Sequence, residues 1–417
     1  MNSSSPFPYP SPTGAGRRLR ILCIASMFPN ARMPVHAQFV KQRLDALSKL
    51  ADLTVISPIP WFPGETLIAR YRNRHAIPLE SAANAYPTYF PKFFSIPALF
   101  KPLEGLTMAW RIARFLVGRG QWKRFDIIDC HLGFPEGFAG AWLKFFMRRP
   151  LTVTLRGHDI NDLYRYPVRK KQVVFGLKRA DRYFGVSQAL VDGAIRLGAP
   201  SATGFRSSNG VNAERFRPLP KPEARRLLQL PGQGPLMMSV CHLNARKGVD
   251  ILIRALAILR AGGMPDLHYL IVGKGGEEGD EEANLRRLAD DLGVADGITW
   301  AGAVLNEDLY RYYSAADFSC LASAKEGWPN VILESLACGT PVVATATWGV
   351  PEILCRPDLG VLVQERNAES FAQAILEARD YPWKSGDLVA YAAEHSWDKV
   401  ASGLMRHFQS ILDQAKP

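Results

Sequence analysis

Two glutamates eight residues apart, Glu326 and Glu334, are the side chains whose types and spacing point most directly to chemistry. They lie in segment 322–341, which indicates a tight turn and then a helix, with Pro329 at its first position and Gly339 after its end. A helix N-terminus at the carboxyl edge of a parallel sheet attracts anions such as a diphosphate. Carboxylates beside an anion suggest hydrogen bonds from hydroxyl groups, which sugars offer.

The elements that must position this pair follow a βαβ rhythm that occurs twice along the chain. Apolar strand-like runs occur in the first half at 19–26, 53–57, 126–131, 151–156 and 183–187, with helical patterns at 35–50 and 136–147. In the second half they occur at 236–241, 268–272, 297–300, 318–321, 341–344 and 360–363. Such runs predict parallel sheets covered by helices on both faces, and therefore an α/β fold.

The predicted organisation is a disordered tail and two Rossmann-like domains. The tail covers 1–17, the first domain 18–214 and the second domain 215–395. The helix pattern near the end fits either domain, and we assign 396–417 to the first. No run reaches the roughly 18 apolar residues that a spanning helix needs. The six cysteines never form a C-x-x-C spacing, which argues against a metal or disulfide framework and favours the thiols of a cytosolic protein.

Charge is unevenly distributed along the chain, whose formal net charge is +12. Residues 1–210 hold 30 Lys/Arg against 12 Asp/Glu, whereas the remainder is acidic. A basic half indicates an anionic partner, such as a lipid surface, a diphosphate-lipid or a nucleic acid, or else only a basic solvated surface. The insertion 58–102 is rich in aromatic residues and carries Lys92 and Lys101. Its aromatics either meet a bilayer interface or fold onto the first domain's own surface.

An ordered set of motifs resembles the retaining glycosyltransferases of family 4, also called group 1. The set comprises the 28–39 loop, "HLGFPEG" at 131–137, "RGHD" at 156–159, "VS" at 186–187, "NGVN" at 209–212, "KG" at 247–248, "IVG" at 271–273, the E-x7-E pair and "GVPE" at 349–352. The resemblance runs from about Arg20 to Leu412 and is loosely closest to exopolysaccharide and teichuronic-acid-type transferases. It implies the GT-B fold, two doubly wound Rossmann-like domains facing across a cleft.

The resemblance also implies roles for donor-binding residues. Glu334 would hold the donor ribose hydroxyls, and Glu326 a hydroxyl of the donor sugar. Lys247 matches the lysine that neutralises the diphosphate, whereas the usual arginine five residues earlier is His242 here. A histidine is only partly protonated near neutral pH, so either Arg246 substitutes for the arginine or diphosphate affinity becomes pH-sensitive. The backbone beside the sugar and diphosphate would come from Gly327, Trp328, Asn330 and Val331.

The catalytic set implied by the resemblance is His131, Lys247 and Glu326. His131 would face the donor sugar, or would be a strand-end histidine bonded to backbone. The acceptor-side candidates are His36, Ala37, Arg156, His158 and Asp159, of which the last three could instead form a structural turn. The family reaction retains anomeric configuration, with the leaving phosphate helping to take the acceptor proton. No D-x-D pair occurs, so we expect no metal and no cofactor, with a UDP- or GDP-sugar as substrate.

Two other classes of function remain as alternatives. A NAD-dependent oxidoreductase or a nucleotide-sugar-modifying enzyme would share the fold, but the sequence after the first strand lacks G-x-G-x-x-G. A non-catalytic nucleotide-sugar- or nucleic-acid-binding protein would have no use for the sugar-facing Glu326. We therefore predict a transferase acting on a glycan or a polyprenyl-diphosphate or other lipid-linked acceptor, with no nucleic-acid partner. The predicted setting is the cytoplasmic, anionic face of a bacterial plasma membrane, where polysaccharide or glycolipid is assembled.

Overall fold

The computed structural model describes residues 17–34, 37–68, 71, 76–96, 99, 101–161, 166–276 and 279–414. The chain divides into two compact units. Unit 1 contains the residues up to Asn209 together with those from Trp397 onward, and unit 2 contains Gly210–Ser396. The tail predicted over 1–17 lies outside the described residues except for Arg17.

Unit 1 is built around a mainly parallel sheet. Its strands are β1 (Arg20–Ile24), β2 (Asp52–Ile56), β3 (Ile59–Trp61), β4 (Glu80–Ser81), β5 (Thr88–Tyr89), β6 (Lys92–Phe94), β7 (Ile127–Cys130), β8 (Leu151–Leu155), β9 (Arg182–Gly185) and β10 (Gly204–Arg206). The sheet order is β10-β9-β8-β7-β1-β2-β5-β4, and β3 pairs with β6 separately. Only the β4–β5 pair in it is antiparallel. The central strands are apolar and buried because helices cover both faces.

The helices of unit 1 cover opposite faces of its sheet. They are α1 (Gln38–Ser48), α2 (Glu104–Gly118), α3 (Phe138–Met147), α4 (His158–Asn161), α5 (Pro167–Arg179), α6 (Gln188–Arg196) and α15 (Trp397–Gln414). The chain moves from β1 to β2 in one direction and from β7 through β8 to β9 in the other. Right-handed crossovers therefore put α1 on one face and α3 and α5 on the other. On the α1 face, Trp397, Leu404 and Phe408 of α15 complete the core.

Unit 2 is a second doubly wound parallel sheet. Its strands are β11 (Leu236–Val240), β12 (His268–Val272), β13 (Ile298–Gly302), β14 (Phe318–Leu321), β15 (Val342–Thr345) and β16 (Gly360–Val363), in the order β13-β12-β11-β14-β15-β16. Its helices are α7 (Lys221–Leu227), α8 (Val249–Ala261), α9 (Glu282–Asp291), α10 (Leu309–Ala315), α11 (Asn330–Ala337), α12 (Val350–Ile353), α13 (Ala368–Asp380) and α14 (Ser385–Glu394). The α8 and α13 side chains Leu252, Leu256, Phe371 and Ile375 form much of one core.

The predicted fold class and each predicted strand are confirmed, with ends that differ by at most two residues. The sequence did not predict β3 to β6, because strands of two or three residues are too short to show alternation. Within the insertion 58–102, Tyr86, Tyr89, Phe90 and Phe93 are buried in unit 1, whereas Phe94 is exposed. Phe100 lies outside the described residues. Among the helices that the structure describes, none combines the length and apolar character needed to cross a membrane.

Candidate functional site

The carboxyl ends of β11 and β14 lie side by side at the point where the strand order of unit 2 reverses. Open α/β sheets bind ligands at such switch points because the loops there diverge and leave a crevice. The loop after β11 carries His242, Arg246 and Lys247, and the loop after β14 carries Glu326. The topology thus brings together side chains that are 79 residues or more apart in sequence.

An ion pair joins the two loops. Lys247 Nζ lies 2.6 Å from Glu326 Oε1, and both side chains are largely covered. The guanidinium of Arg246 lies 3.9 Å from the same carboxylate oxygen and donates to the backbone oxygen of Lys325. Two cations and one carboxylate therefore lie together between the two loops, and the excess positive charge suits an anionic ligand.

Close backbone packing fixes the distance between the loops. Gly248 has φ +68°, and a Cβ there would lie 2.3 Å from the backbone oxygen of Ala322. Only glycine permits both this conformation and this approach. The backbone N–H of Ala324 donates to the Arg246 carbonyl at 2.9 Å, and Arg366 Nε donates to the Ala322 carbonyl at 2.7 Å.

Helix α11 begins directly after the Glu326 loop. Pro329 is its N-cap residue, one position before the helix, because its ψ of 105° is extended, and Asn330 is the first helical residue. The helix ends at Ala337, and Gly339 adopts φ +77° after it, as the sequence predicted. The N-terminus of α11 thus lies at the carboxyl edge of the sheet, with its positive end towards the Glu326 loop.

Glu334 lies on the second turn of α11. Its Oε2 accepts a hydrogen bond of 3.0 Å from the Tyr313 hydroxyl on α10. Desolvation raises the pKa of Glu334 to about 7, although the Tyr313 hydrogen bond and the charge of Arg215 act in the opposite direction. A carboxyl group in this setting is a strong acceptor for further hydroxyl groups.

His242 has an exposed side chain that lies against the loop after β12. A Cβ on Gly276 would come within 3.0 Å of His242 Nδ1, so glycine there leaves room for the imidazole. Gly273 has φ +137°, and a Cβ there would lie 1.8 Å from the carbonyl oxygen of Cys241. The loops after β11 and β12 are therefore held in contact where the predicted diphosphate residues lie.

A buried chain of charged groups surrounds His131 in unit 1. His131 Nε2 lies 3.1 Å from Asp129 Oδ2, and Nδ1 lies 2.8 Å from Arg156 Nη2. Burial lowers the pKa of His131 to about 4, and burial likewise lowers the pKa of Arg156 to about 9. Burial opposes ionisation of Asp129, but His131, Arg43 and Thr152 outweigh it and lower the pKa of that carboxyl. The imidazole is therefore neutral near pH 7, and acceptance at Nδ1 from the Arg156 guanidinium places its proton on Nε2, which faces Asp129 Oδ2.

The other predicted unit 1 residues have different environments. The Asp159 carboxylate accepts hydrogen bonds from the backbone N–H groups of Gly133 and Gly157 at 2.9 and 3.0 Å and of Arg156 at 3.1 Å, so it stabilises the turn. Ala37 adopts φ 49° as the N-cap of α1. His158 starts α4, but its side chain is not described, and His36 lies outside the described residues. Their acceptor-side roles stay predictions.

Cys23, Asp129 and His131 offer three ligand atoms within 4.8 Å of one another in the described part of the chain. The chemistry of the group does not suit a metal. Burial raises the pKa of the Cys23 thiol well above its usual value, and a protonated thiol is a poor ligand. The buried guanidinium of Arg43, which bonds Thr154 at 3.0 Å, already provides positive charge for Asp129.

Sequence reasoning missed several residues of these sites. Tyr313 and Arg215 act on Glu334, Arg366 fixes the Ala322 carbonyl, and Glu136 is buried with its carboxylate 2.9 Å from the Ser26 backbone nitrogen. The tyrosine and the two arginines lie far from the motif they serve, so no local spacing could identify them. Glu136 lies inside a quoted motif, and its position just after β7 was the available signal.

Comparisons with known proteins identify the family of the chain. Residues 220–395 match the family description "Glycosyl transferases group 1", and residues 71–210 match "Glycosyl transferase 4-like domain". The chain is 33% identical over 317 residues to a D-inositol 3-phosphate glycosyltransferase of Thermobispora bispora, covering 70% of this chain and 72% of the relative. It is 28% identical over 408 residues to the teichuronic acid biosynthesis glycosyltransferase TuaC of Bacillus subtilis, covering 95% and 96%.

Solved structures show the same fold at low identity. A sucrose-phosphate synthase from Thermosynechococcus elongatus aligns with a TM-score of 0.75 and 20% identity, over 95% of this chain and 100% of the other. Anabaena HepE in complex with UDP aligns with a TM-score of 0.71 and 19% identity, over 94% and 100%.

Proposed function

The chain belongs to the group 1 glycosyltransferases, and we propose that it transfers a sugar from a nucleoside-diphosphate sugar to a glycan or lipid-linked acceptor, with retention of anomeric configuration. The observation that carries the proposal is the Lys247–Glu326 pair at the unit 2 switch point, directly before α11. A cation and a helix N-terminus at one sheet edge suit a diphosphate, and two carboxyl groups nearby suit hydroxyls. The UDP bound in the similar Anabaena structure supports a UDP-sugar as the first donor to test.

In the proposed reaction, the acceptor oxygen bonds to the anomeric carbon on the face from which the diphosphate departs. The bond between that carbon and the diphosphate oxygen breaks, and the acceptor proton passes to the departing phosphate. Lys247 and the α11 N-terminus stabilise the negative charge that develops there, because fixed charges and dipoles need no reorganisation. Glu334 holds the ribose hydroxyls, and Glu326 orients the sugar.

The proposal includes no metal ion and no cofactor, since Lys247, with Arg246 or His242, supplies the positive charge for the diphosphate. EDTA added to an active preparation leaves turnover unchanged in this proposal. Complete loss of turnover with EDTA, restored by a divalent cation, would show that a metal neutralises the diphosphate instead.

Donor binding is tested by thermal unfolding of the full chain with UDP, GDP, UDP-sugars, GDP-sugars and NAD. A ligand at 100 times its Kd stabilises the folded state by about 2.7 kcal/mol. We expect a shift with one nucleoside-diphosphate series only. Lys247→Met weakens that binding roughly 10- to 100-fold, since it removes a charge-assisted bond worth about 1.5–3 kcal/mol.

The matched control is Arg286→Met, which removes a cation of the same unit from an exposed ion pair 2.8 Å long. This variant keeps the wild-type shift. A shift with NAD and none with any sugar nucleotide would replace the proposal with a dinucleotide-dependent enzyme.

Transfer itself is tested with Glu326→Gln and by the stereochemistry of the product. The amide keeps the shape of the side chain but loses the negative charge that accepts from the sugar hydroxyl and pairs with Lys247. We therefore expect donor binding to persist while turnover falls. Proton NMR of the fresh product reports the anomeric configuration. An inverted product would overturn the retaining mechanism, and unchanged turnover would remove Glu326 from it.

We propose polysaccharide or glycolipid assembly as the setting. The similarity to the teichuronic acid transferase over 95% of the chain supports a polysaccharide product, and that to inositol phosphate glycosyltransferases supports a glycolipid or other glycoconjugate. Incubation with donor and separate lipid-linked or soluble glycan acceptors distinguishes the two classes of product.

A further inference from the structure

One helical face of unit 1 exposes large apolar side chains in contiguous stripes. On α2, Leu106 is 40%, Trp110 66% and Val117 61% exposed, at helical spacing along one side. On α3, Phe145 is 66% and Phe146 61% exposed. Isolated exposed apolar residues are ordinary, but aromatic residues clustered on neighbouring helices mark an interaction surface.

The stripes point in the same direction because α2, α3 and α5 form one layer. Gly105 of α2 lies so close to α3 that a Cβ there would come within 2.5 Å of the Phe138 ring. Gly176 of α5 packs on the backbone of Gly137, and the Phe138 and Phe175 rings are 5.5 Å apart. Side chains that point away from the sheet on these helices therefore share one outward face, which we call the α2–α3–α5 face. Its length is about 22 Å along the 15 residues of α2.

The charge around this face is predominantly positive. Segments 104–118, 138–149 and 166–179 contain ten Lys/Arg residues and a single carboxylate, Glu104. That carboxylate is paired with Lys101 and Ser95. Arg114, Arg148 and Lys171 are exposed, and the Arg179 guanidinium lies 5.1 Å from the Phe175 ring centroid. Cations therefore outnumber carboxylates around the aromatic stripes, where Glu104 pairs with Lys101 and Asp181 pairs with Lys144.

The opposite helical face of the same unit provides the internal comparison. Helices α1 and α15 are described over their full lengths and expose no large apolar side chain. Their charges are mixed, as in the Lys41–Asp45 pair at 2.7 Å. An unselected basic surface would not place its aromatics and its cations on the same layer. The asymmetry therefore belongs to the α2–α3–α5 face specifically.

We propose that the α2–α3–α5 face docks on an anionic lipid bilayer, with Trp110, Phe145 and Phe146 seated in the headgroup region. Aromatic rings are stable at that depth, and Lys and Arg beside them meet lipid phosphates. A second copy of the same face is a poor partner, because exposed cations such as Arg114, Arg148 and Lys171 would oppose one another across the contact. Tyr86, Tyr89, Phe90 and Phe93 of the insertion 58–102 are buried and cannot contact a bilayer, so the proposed contact rests on other side chains.

The test is vesicle sedimentation of the full chain without donor, so its outcome is independent of the proposed transfer reaction. The vesicles contain phosphatidylcholine alone or with about 40% phosphatidylglycerol. We expect binding to the anionic vesicles at low salt and weaker binding at about 1 M NaCl, where charges are screened beyond about 3 Å. The variant W110S/F145S/F146S binds at least about tenfold more weakly, because it loses its apolar anchors.

Two further variants complete the design. R114E/K171E/K178E changes exposed charges only and abolishes the preference for anionic vesicles. L67S/L227S/L305S removes three exposed leucines outside the face and leaves binding unchanged. All substituted side chains are exposed, and unchanged thermal unfolding verifies the fold.

The proposal is overturned if wild type does not bind anionic vesicles, or if the W110S/F145S/F146S variant binds them as wild type does. It is also overturned if ultracentrifugation shows that the face mediates self-association and vesicles are not bound.

Discussion

Glu334 combines a proposed ligand-binding role with a cost in stability. Its carboxyl is desolvated on α11 and accepts a hydrogen bond from Tyr313, and its pKa is raised to about 7 from an ordinary value of 4.5. Between about pH 4.5 and pH 7, the folded chain therefore retains on Glu334 a proton that the unfolded chain releases. The ionised carboxylate accepts hydrogen bonds at both oxygens, so hydroxyl groups of a ligand would stabilise the form that burial disfavours.

The raised pKa of Glu334 predicts a pH-dependent free energy of unfolding. The contribution of Glu334 to the free energy of unfolding is complete below about pH 4.5 and is lost as pH rises through about 7. The loss amounts to roughly 3 kcal/mol. Urea unfolding of unit 2 at pH 5 and pH 8 measures it. Glu334→Gln flattens this difference, whereas Glu369→Gln on the exposed start of α13 retains it. Equal pH dependence in wild type and Glu334→Gln would contradict the assignment.

At the scale of elements, two loops and one helix form the candidate donor site. The loop after β11 and the loop after β14 touch at Gly248 and Ala322, and this contact holds Lys247 beside Glu326. The ion pair alone would not fix the geometry, because a single pair contributes little when its partners can move. The backbone contact determines where the two charges lie.

Gly248→Ala separates the effect of the backbone contact from the effect of the ion pair. The new Cβ meets the Ala322 carbonyl at 2.3 Å, so we expect the loops to move apart and donor affinity to fall at least about tenfold, with a loss of stability above 1–2 kcal/mol. Gly293→Ala is the matched control, since Gly293 has nearly the same φ of +67° and no atom within 4 Å of its Cβ position. Chemical denaturation and nucleotide titration of both variants give the comparison. Equal effects of the two would mean that conformational strain alone is responsible.

At the scale of the whole molecule, the last helix returns across the sequence to complete the first core. Trp397, Leu404, Phe408 and Ile411 of α15 are buried against β1, β2 and α1. Burial of four such side chains stabilises unit 1 by about 6–12 kcal/mol, comparable to the net stability of a domain. The integrity of unit 1 thus depends on residues that follow unit 2 in the chain.

Phe408→Ala and Phe371→Ala test whether unit 1 and unit 2 unfold independently of each other. Both phenylalanines are fully buried, the first in unit 1 and the second in unit 2, and each substitution costs about 3–5 kcal/mol. Amide hydrogen exchange should accelerate in β1, β2 and β7 for Phe408→Ala and in β11, β12 and β14 for Phe371→Ala. If either variant accelerates exchange equally in both units, the chain unfolds as one cooperative body.

The sequence by itself determined the fold class, the strands of four residues or more and the positions of the donor-binding candidates. Apolar runs of four or five residues separated by helical patterns indicate buried parallel strands, because such runs have the length of strands and are too short for typical helices. The turn, the helix and its Gly339 end around Glu326 and Glu334 are local features, and the structure has them within a residue of their predicted positions. Local chemistry therefore identified the residues that the family resemblance then interpreted.

Only the tertiary structure decided which of these residues meet and which surfaces stay open. The contact of Lys247 with Glu326, the hydrogen bond of Tyr313 to Glu334 and the enclosure of His131 join distant segments, and sequence spacing carries no information on them. The α3 sequence is apolar on almost every side, so periodicity cannot say that Phe145 and Phe146 face outward. The layer of α2, α3 and α5 determines the orientation of these two side chains, because neighbouring helices cover one side of α3 and leave the other open.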